Sequence, residues 1–174
     1  MGAAQQGFDS ARWMVIPRTL IFLTNGGDLL LLKRGAHRRV FPNRYNGLGG
    51  HVECDETLEA AALREVREEC GIPPERIRDF RLRAISHVAS DPTGGIMVFI
   101  FTGEALTREV SATSEGELSW IPLSDVYGLP LVDDLPPLLP RLFGEAARRE
   151  LIYLHVRYDA SDQMIITFSD GQTD

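Results

Sequence analysis

Between Thr57 and Gly71 the sequence TLEAAALREVREECG admits little other than an α-helix, and that helix constrains the rest of the chain. Thr57 supplies an N-cap hydroxyl, the interior is rich in Ala, Leu, Arg and Glu, and Gly71-Ile72-Pro73-Pro74 stops the helix. At about 100° per residue, Leu58, Ala62, Leu63, Val66 and Cys70 share one face, so the helix must lie against a sheet. Glu65 and Glu69 fall at the border of that face, one turn apart, with Glu68 beside them and Arg64 one turn before Glu68. Three carboxylates are therefore expected to converge on one small patch with a guanidinium at its edge. Stacked acids repel one another, so the patch needs a counter-charge.

Around this helix the pattern is that of strands. Trp13–Leu23 (WMVIPRTLIFL) and Leu29–Arg34 (LLLLKR) are apolar runs separated by TNGGD, and the Asn-Gly and Gly-Gly dipeptides predict a hairpin. Ala36–Tyr45 is basic, contains Pro42 and reads as a loop. Leu48–Val52 is short and glycine-rich, which requires backbone to pass close to something. Strands are predicted at Phe80–Ser90 and Ile96–Gly103 around DPTGG, with a further short one at Glu117–Pro122. A second helix follows over Leu135–Arg149, and LIYLHVRY and QMIITFS form a closing hairpin around DASD. The class is α/β in the α+β sense: one mixed β-sheet sandwiched between helices, with a β-hairpin at each end of the chain. One domain over 12–170 is expected, with a flexible segment at 1–11 and a tail at 171–174.

Composition excludes several function classes. A chain of 174 residues can build a core without covalent staples. Cys54 and Cys70 are too few for a disulfide framework, which suits a reducing cytoplasm. No run approaches the roughly 20 apolar residues of a membrane span. The start, MGAAQQGFDSAR, lacks a basic region followed by a long apolar core, so no signal peptide is expected. A net charge of −7 argues against a nucleic-acid groove but permits a small phosphorylated ligand reached through a cation. Neither His51 nor His87 has a second histidine at ligand spacing, so both read as packing or surface residues. Nothing in the pattern sets an oligomeric state.

Spacing decides what the acidic patch is for. Gly50, five residues, Glu56, seven residues, then Arg64-Glu65-Val66-Arg67-Glu68-Glu69-Cys70-Gly71-Ile72 fits GX5EX7REUXEEXGU, with U aliphatic, at every specified position. A chance match per window is on the order of one in 10⁸ to 10⁹. Hard divalent cations take oxygen ligands, usually a few carboxylates with waters and substrate phosphates. Glutamates at i, i+3 and i+4 present such oxygens from a rigid helix, and the cation offsets the repulsion that would raise a carboxyl's proton affinity. Gly50 leaves its carbonyl free to approach the same ion, Arg64 can orient Glu65 by a charge-assisted bond, and Glu56 reads as a brace for the loop.

This spacing resembles the signature of the Nudix hydrolase family. The resemblance implies the fold of that family, Mg²⁺ or Mn²⁺ as cofactor, and hydrolysis of a nucleoside diphosphate linked to another group by in-line attack of water. It implies Glu68 and Glu69 as metal ligands with Gly50, and Glu65 as a ligand or the base, with Arg64 beside it. A further acid from a later loop is implied as well; Glu115, five residues before Trp120, fits that place first and Glu117 second.

Outside the box, Phe41–Val52 (FPNRYNGLGGHV) resembles the corresponding segment of animal enzymes that hydrolyse oxidised purine nucleoside triphosphates such as 8-oxo-dGTP. Leu131-Val132-Asp133-Asp134 stands where that subfamily carries a tryptophan, a proline and two aspartates. By that resemblance Asn46, Asp133 and Asp134 read the base edge, and Thr19 lines the pocket. Asn offers a donor and an acceptor together, and of two adjacent carboxyls one tends to keep a proton. Asn46-Gly47 is also a turn dipeptide, and Asp134 is also placed to cap the second helix. Leucine at 131 cannot stack on a base; Phe41 or Tyr45 could take that role, and both also read as ordinary packing residues. Lys33 and Arg34 end a strand where they could neutralise a triphosphate. ADP-ribose hydrolases usually carry a proline about fifteen residues after the box and diadenosine polyphosphate hydrolases a tyrosine slightly later; both are missing here. A small-molecule nucleotide is the expected partner. The rival readings are a Nudix hydrolase of an unmodified nucleotide or a nucleotide sugar, and a non-catalytic nucleotide sensor.

Overall fold

The computed structural model describes residues 3–144 and 150–169. Its strands are β1 (Met14–Asn25), β2 (Asp28–Arg34), β3 (Tyr45–Asn46), β4 (Ile77–Asp91), β5 (Gly94–Ala105), β6 (Gly116–Pro122), β7 (Ile152–Tyr158) and β8 (Met164–Phe168); its helices are α1 (Leu58–Cys70) and α2 (Leu135–Phe143). One mixed sheet holds all the strands in the order β3-β2-β1-β5-β4-β7-β8, with β6 also paired to β2. No helix among the described residues is long and apolar enough to cross a membrane.

The sheet is buried on both faces because its central strands are apolar on both faces. Leu20 to Leu23 and Leu29 to Leu32 are consecutive buried residues, a pattern that needs cover from two sides. Strand alternation divides them. Ile21, Leu23, Leu30 and Leu32 join Leu48, Ala62, Val66 and Cys70 under α1. Leu20, Phe22, Leu29 and Leu31 join Leu131, Leu135, Leu138, Leu139 and Leu142 under α2.

The N-terminal hairpin forms, but it pairs only at Thr24↔Leu29 and Asn25↔Asp28 around Gly26-Gly27, whose φ values are 59° and 94°. Beyond that β1 runs parallel to β5, from Met14↔Gly94 to Thr24↔Glu104, and β2 pairs with β6. The closing hairpin joins the sheet through a parallel β4–β7 ladder, Ala84↔Ile152 to Ala89↔Arg157. Ahead of β1 the chain carries a 3-10 turn, Ala3–Gln6, and an Asp9 turn.

Two helix expectations need correction. Helix α2 ends at Phe143, where Gly144 turns extended (φ −74°, ψ 177°); glycine is a weak helix former, and 145–149 lie outside the described residues, as do 170–174. In α1, Leu63 stays half-buried outside the core, whereas Ala61 is fully buried. The wheel explains it: Ala61 is about 60° from Leu58 and Leu63 about 140°. By the same count Glu65 and Glu69 flank Leu58 by about 20° on either side, at the centre of the inward face and not at its border.

Candidate active site

Inward-facing carboxylates need a polar surface, and a glycine strip provides it. Residues 47–51 run beside β1: Ile21 N–H donates to the Leu48 carbonyl at 2.7 Å, Leu48 N–H returns to Ile21 at 3.0 Å, and Thr19 N–H donates to the Gly50 carbonyl at 2.9 Å. Side chains are excluded here. A Cβ on Gly49 would stand 2.2 Å from the Thr19 carbonyl oxygen, and one on Gly50 would stand 2.5 Å from Glu65 Oε1. Gly49, at φ 141°, donates its N–H to Glu69 Oε2 at 2.9 Å. Thr19 is buried under this strip, its hydroxyl 3.5 Å from the Gly50 nitrogen. Its place is the acidic side of the sheet, where it supports the loop.

Arg64 fixes the rest of the cluster. Its Nε and Nη2 bond Glu56 Oε2 and Oε1 at 3.1 and 2.8 Å, its Nη1 bonds Glu65 Oε1 at 2.8 Å and Glu68 Oε2 at 3.2 Å, and its Nη2 reaches the His51 carbonyl at 3.0 Å. Glu56 also accepts the Glu53 N–H at 2.9 Å, so it ties the loop to the helix. The Arg64 guanidinium holds the Glu56 carboxyl below the usual range, helped by the Glu53 N–H. Helix α1 itself is capped by Thr57 Oγ1, which accepts the Ala60 N–H at 3.2 Å, and by Gly71 at φ 77°.

The glutamates are not equivalent. The Glu65 side chain is 14% exposed and the Glu68 side chain 60%, so Glu68 lies on the solvent side of the Arg64 guanidinium that it shares with Glu65. Glu69 is pushed up to about 7, chiefly by burial, then by the charges of Glu65 and Glu115 against the opposing Gly49 N–H and Arg34. Glu115 thus belongs to the cluster, although both its oxygens lie 2.6 Å from Arg38 Nη2. Glu117 is exposed on β6 opposite Lys33. Lys33 points to the α2 side, its Nζ 5.9 Å above the Tyr45 ring, because alternation sends Arg34 and not Lys33 toward α1. Among the described residues, no three His, Cys, Asp or Glu side chains gather tightly enough to hold a metal by themselves. Backbone, water and substrate oxygens must complete any shell, as is usual for Mg²⁺.

The residues expected to read a base are spread over more than one place. Asn46 Oδ1 accepts the Gly47 N–H at 2.9 Å, as a turn residue does. Asp133 is exposed and paired with Arg44 at 3.2 Å. Asp134 occupies the N-cap position of α2 but makes no capping bond, and burial followed by the Asp133 charge pushes it up to about 6. Leu131 is 4% exposed within the α2 core. Phe41, with φ 50°, and Asp133 line a cleft of about 640 Å³ whose other walls are Pro137, Tyr158, Asp162, Gln163, Met164 and Ile166. Burial and the charges of Asp134, Asp162 and Asp133 raise the Tyr158 hydroxyl. Neither the hairpin wall of this cleft nor Arg38 was singled out in the sequence, since both depend on pairings distant along the chain. Likewise His87 stacks on His155 at 4.9 Å through the β4–β7 ladder, and Trp13 meets its ring in a T-shaped contact at 5.0 Å.

Comparison with known proteins identifies the family. Residues 14–142 match the family model described as NUDIX domain. The chain is 31% identical over 119 residues to the nucleoside triphosphatase NudI of Klebsiella pneumoniae (strain 342), covering 63% of this chain and 84% of that protein. It is 30% identical over 118 residues to the NAD-capped RNA hydrolase NudC of Vibrio atlanticus (strain LGP32), covering 67% and 39%. In fold it resembles the MutT protein of Bacillus halodurans, with a TM-score of 0.74 at 19% identity, covering 91% of this chain and all of that one. It also resembles the NUDIX domain of Shewanella oneidensis NrtR complexed with ADP ribose, at a TM-score of 0.59 and 22% identity, covering 81% and 96%. Because the matched residues take in both the acidic helix and the strip on which it docks, the chain belongs to the Nudix hydrolase family.

Proposed function

We propose that this enzyme hydrolyses a nucleoside triphosphate to the nucleoside monophosphate and pyrophosphate, with Mg²⁺ or Mn²⁺ as its cation and an oxidised purine nucleotide such as 8-oxo-dGTP as substrate. The observation that carries the reading is the docking of Glu65 and Glu69 on the Gly49–Gly50 backbone, where no Cβ fits. The donor chemistry fits a hard cation: carboxylates and a carbonyl, with Glu69 raised by burial first and by the charges of Glu65 and Glu115 second. Glu65, Glu69 and the Gly50 carbonyl would hold the ion, with Glu68 and Glu115 at the rim. When bound, the ion neutralises charge on the phosphate oxygens while water attacks in line.

The chain's own groups supply the rest. Arg64 fixes Glu65 through Oε1, leaving Oε2 as a ligand or as the acceptor of the water's proton. Phe41 and Asp133 offer an aromatic face and an acceptor to the base, and Asp134 supplies a second carboxyl that keeps a proton at mildly acidic pH. The nucleoside triphosphatase relatives support a triphosphate substrate. One observation favours a second reading, an unmodified nucleotide or another nucleoside diphosphate derivative: Leu131 is packed in the core and offers the base no ring. A panel of 8-oxo-dGTP, dGTP, ATP and ADP-ribose with Mg²⁺ separates the two. The sanitising reading expects 8-oxo-dGTP to show the highest kcat/KM, and equal or better values for dGTP or ADP-ribose remove it.

A further inference from the structure

Arg38 grips the one acid of the cluster that comes from outside the helix and its loop. A single nitrogen, Nη2, lies 2.6 Å from both oxygens of Glu115, and the two side chains are only 33% and 26% exposed. Glu115 is held in place independently of this pair: its carbonyl accepts the Gly35 N–H at 2.9 Å and its own N–H donates to Thr113 Oγ1 at 3.2 Å. The segment carrying Arg38 is also fixed. Arg38 N–H donates to the Gly35 carbonyl, Arg34 Nε to the Val40 carbonyl, and Asn43 N–H to the Arg34 carbonyl. Phe41 and Asn43 both hold positive φ, 50° and 60°. One short loop therefore touches the acidic cluster through Arg38 and the 640 Å³ cleft through Phe41.

Resting on the diphosphatase reading, we propose that Arg38 is a positioning residue that changes partner, from Glu115 in the free enzyme to a substrate phosphate once a divalent cation neutralises the acidic cluster. A cation engaging Glu115 competes with Arg38 for the same two oxygens. A part-buried guanidinium that loses its carboxylate takes another oxyanion in preference to none, and its fork suits phosphate. Lys33 does not compete for the role, because it lies over Tyr45 on the other face.

Two titrations on the full chain test the exchange: Mn²⁺ alone by calorimetry, then inorganic pyrophosphate in the presence of Mn²⁺. Arg38→Ala is expected to bind Mn²⁺ about 3- to 10-fold more tightly, since Glu115 is released, and pyrophosphate about 10-fold more weakly. Arg38→Lys restores part of the pyrophosphate affinity. Glu115→Gln weakens Mn²⁺ binding, and adding Arg38→Ala to it changes Mn²⁺ affinity no further, as a shared pathway requires. Turnover of Arg38→Ala shows a KM raised about 10-fold with kcat within about 3-fold of wild type. Unchanged or weakened Mn²⁺ binding in Arg38→Ala, or unchanged pyrophosphate binding, overturns the proposal; Arg38→Gln serves if the alanine variant is unstable. Should no nucleoside triphosphate be hydrolysed while both titrations respond as expected, the substrate reading fails and the exchange stands.

Discussion

The two acidic regions of the molecule hold their charges in different ways. On the α1 side, one guanidinium bonds three glutamates and a backbone carbonyl, Glu69 is seated on a peptide N–H, and Glu115 is held by Arg38. On the α2 side, Asp134 makes no capping bond, Asp133 has one solvent-exposed arginine, and Asp162 and Tyr158 face an open cleft. The first arrangement is pre-organised for chemistry, where geometry must be held to fractions of an ångström. The second is loosely held, as the proposed recognition of a base edge requires. Substitutions on the two sides should therefore differ in kind as well as in size.

The largest effect is expected at Glu69. Glu69→Gln keeps the shape and the Gly49 contact but removes the charge, and should lower kcat about 10³-fold with an unchanged fold by circular dichroism. A loss smaller than tenfold would move the chemistry away from α1. Arg64 comes next. Arg64→Ala frees Glu65, Glu68 and Glu56 together, so kcat should fall about 10²-fold and Tm should drop. Arg64→Lys should recover little of either, because an ammonium cannot make the bidentate bond to Glu56. Full rescue by lysine would show that charge, and not the fork, is what the site needs.

How much of this was legible in the sequence follows the same division. The helix, its cap at Thr57, its stop at Gly71 and the Gly50–Glu56–Arg64 spacing are local, and each carries its own physical signature. Glu65, Glu69 and Arg64 follow from them, and the helical wheel about Leu58 turns the two glutamates inward and not to the border of the face. The cleft is different. Tyr158 and Asp162 reach it only because β7 pairs in parallel with β4 across more than sixty intervening residues, and such a ladder leaves no trace in either strand alone. Lys33 and Arg34 are equivalent strand-end cations in the sequence, and only the faces of the sheet separate them. Thr19, a pocket residue by resemblance and a packing residue by its place in a strand, lies beneath the glycine strip; its hydroxyl faces Gly50 because β1 alternates that way.

On the recognition side the expected effects are smaller and fall on KM. Phe41→Ala removes the aromatic wall of the cleft, and Tyr158→Phe removes its hydroxyl; each should raise KM about 3- to 10-fold and leave kcat within about 2-fold. The informative quantity is the ratio of kcat/KM between purine and pyrimidine triphosphates. A fall in kcat equal to the fall in kcat/KM would mean that the cleft takes part in the chemistry, which would erase the contrast with α1.

Proton linkage gives the finest comparison, because Glu69 and Asp134 are raised for the same main reason. Both are pushed up by burial, Glu69 from 4.5 to about 7 and Asp134 from 3.8 to about 6. A raised carboxyl binds its proton more tightly in the folded chain than in the unfolded one. Its penalty is absent below the ordinary value, grows as pH rises toward the folded value, and is constant above it. Without divalent cations, stability should therefore carry a falling component between about pH 4 and 7. Glu69→Gln should raise Tm relative to wild type at pH 8 and leave it unchanged at pH 4; Asp134→Asn should do the same with a window about one pH unit lower. A cation that binds the α1 cluster separates the two. Millimolar Mg²⁺ should raise the wild-type Tm by a few degrees at pH 8 and much less at pH 5, where Glu69 holds its proton. It should abolish most of the Glu69→Gln advantage and leave that of Asp134→Asn intact, by scanning calorimetry at low ionic strength. Loss of the Asp134→Asn advantage in Mg²⁺ as well would place the cation in the cleft too, and the division between a chemical and a recognition side would have to be redrawn.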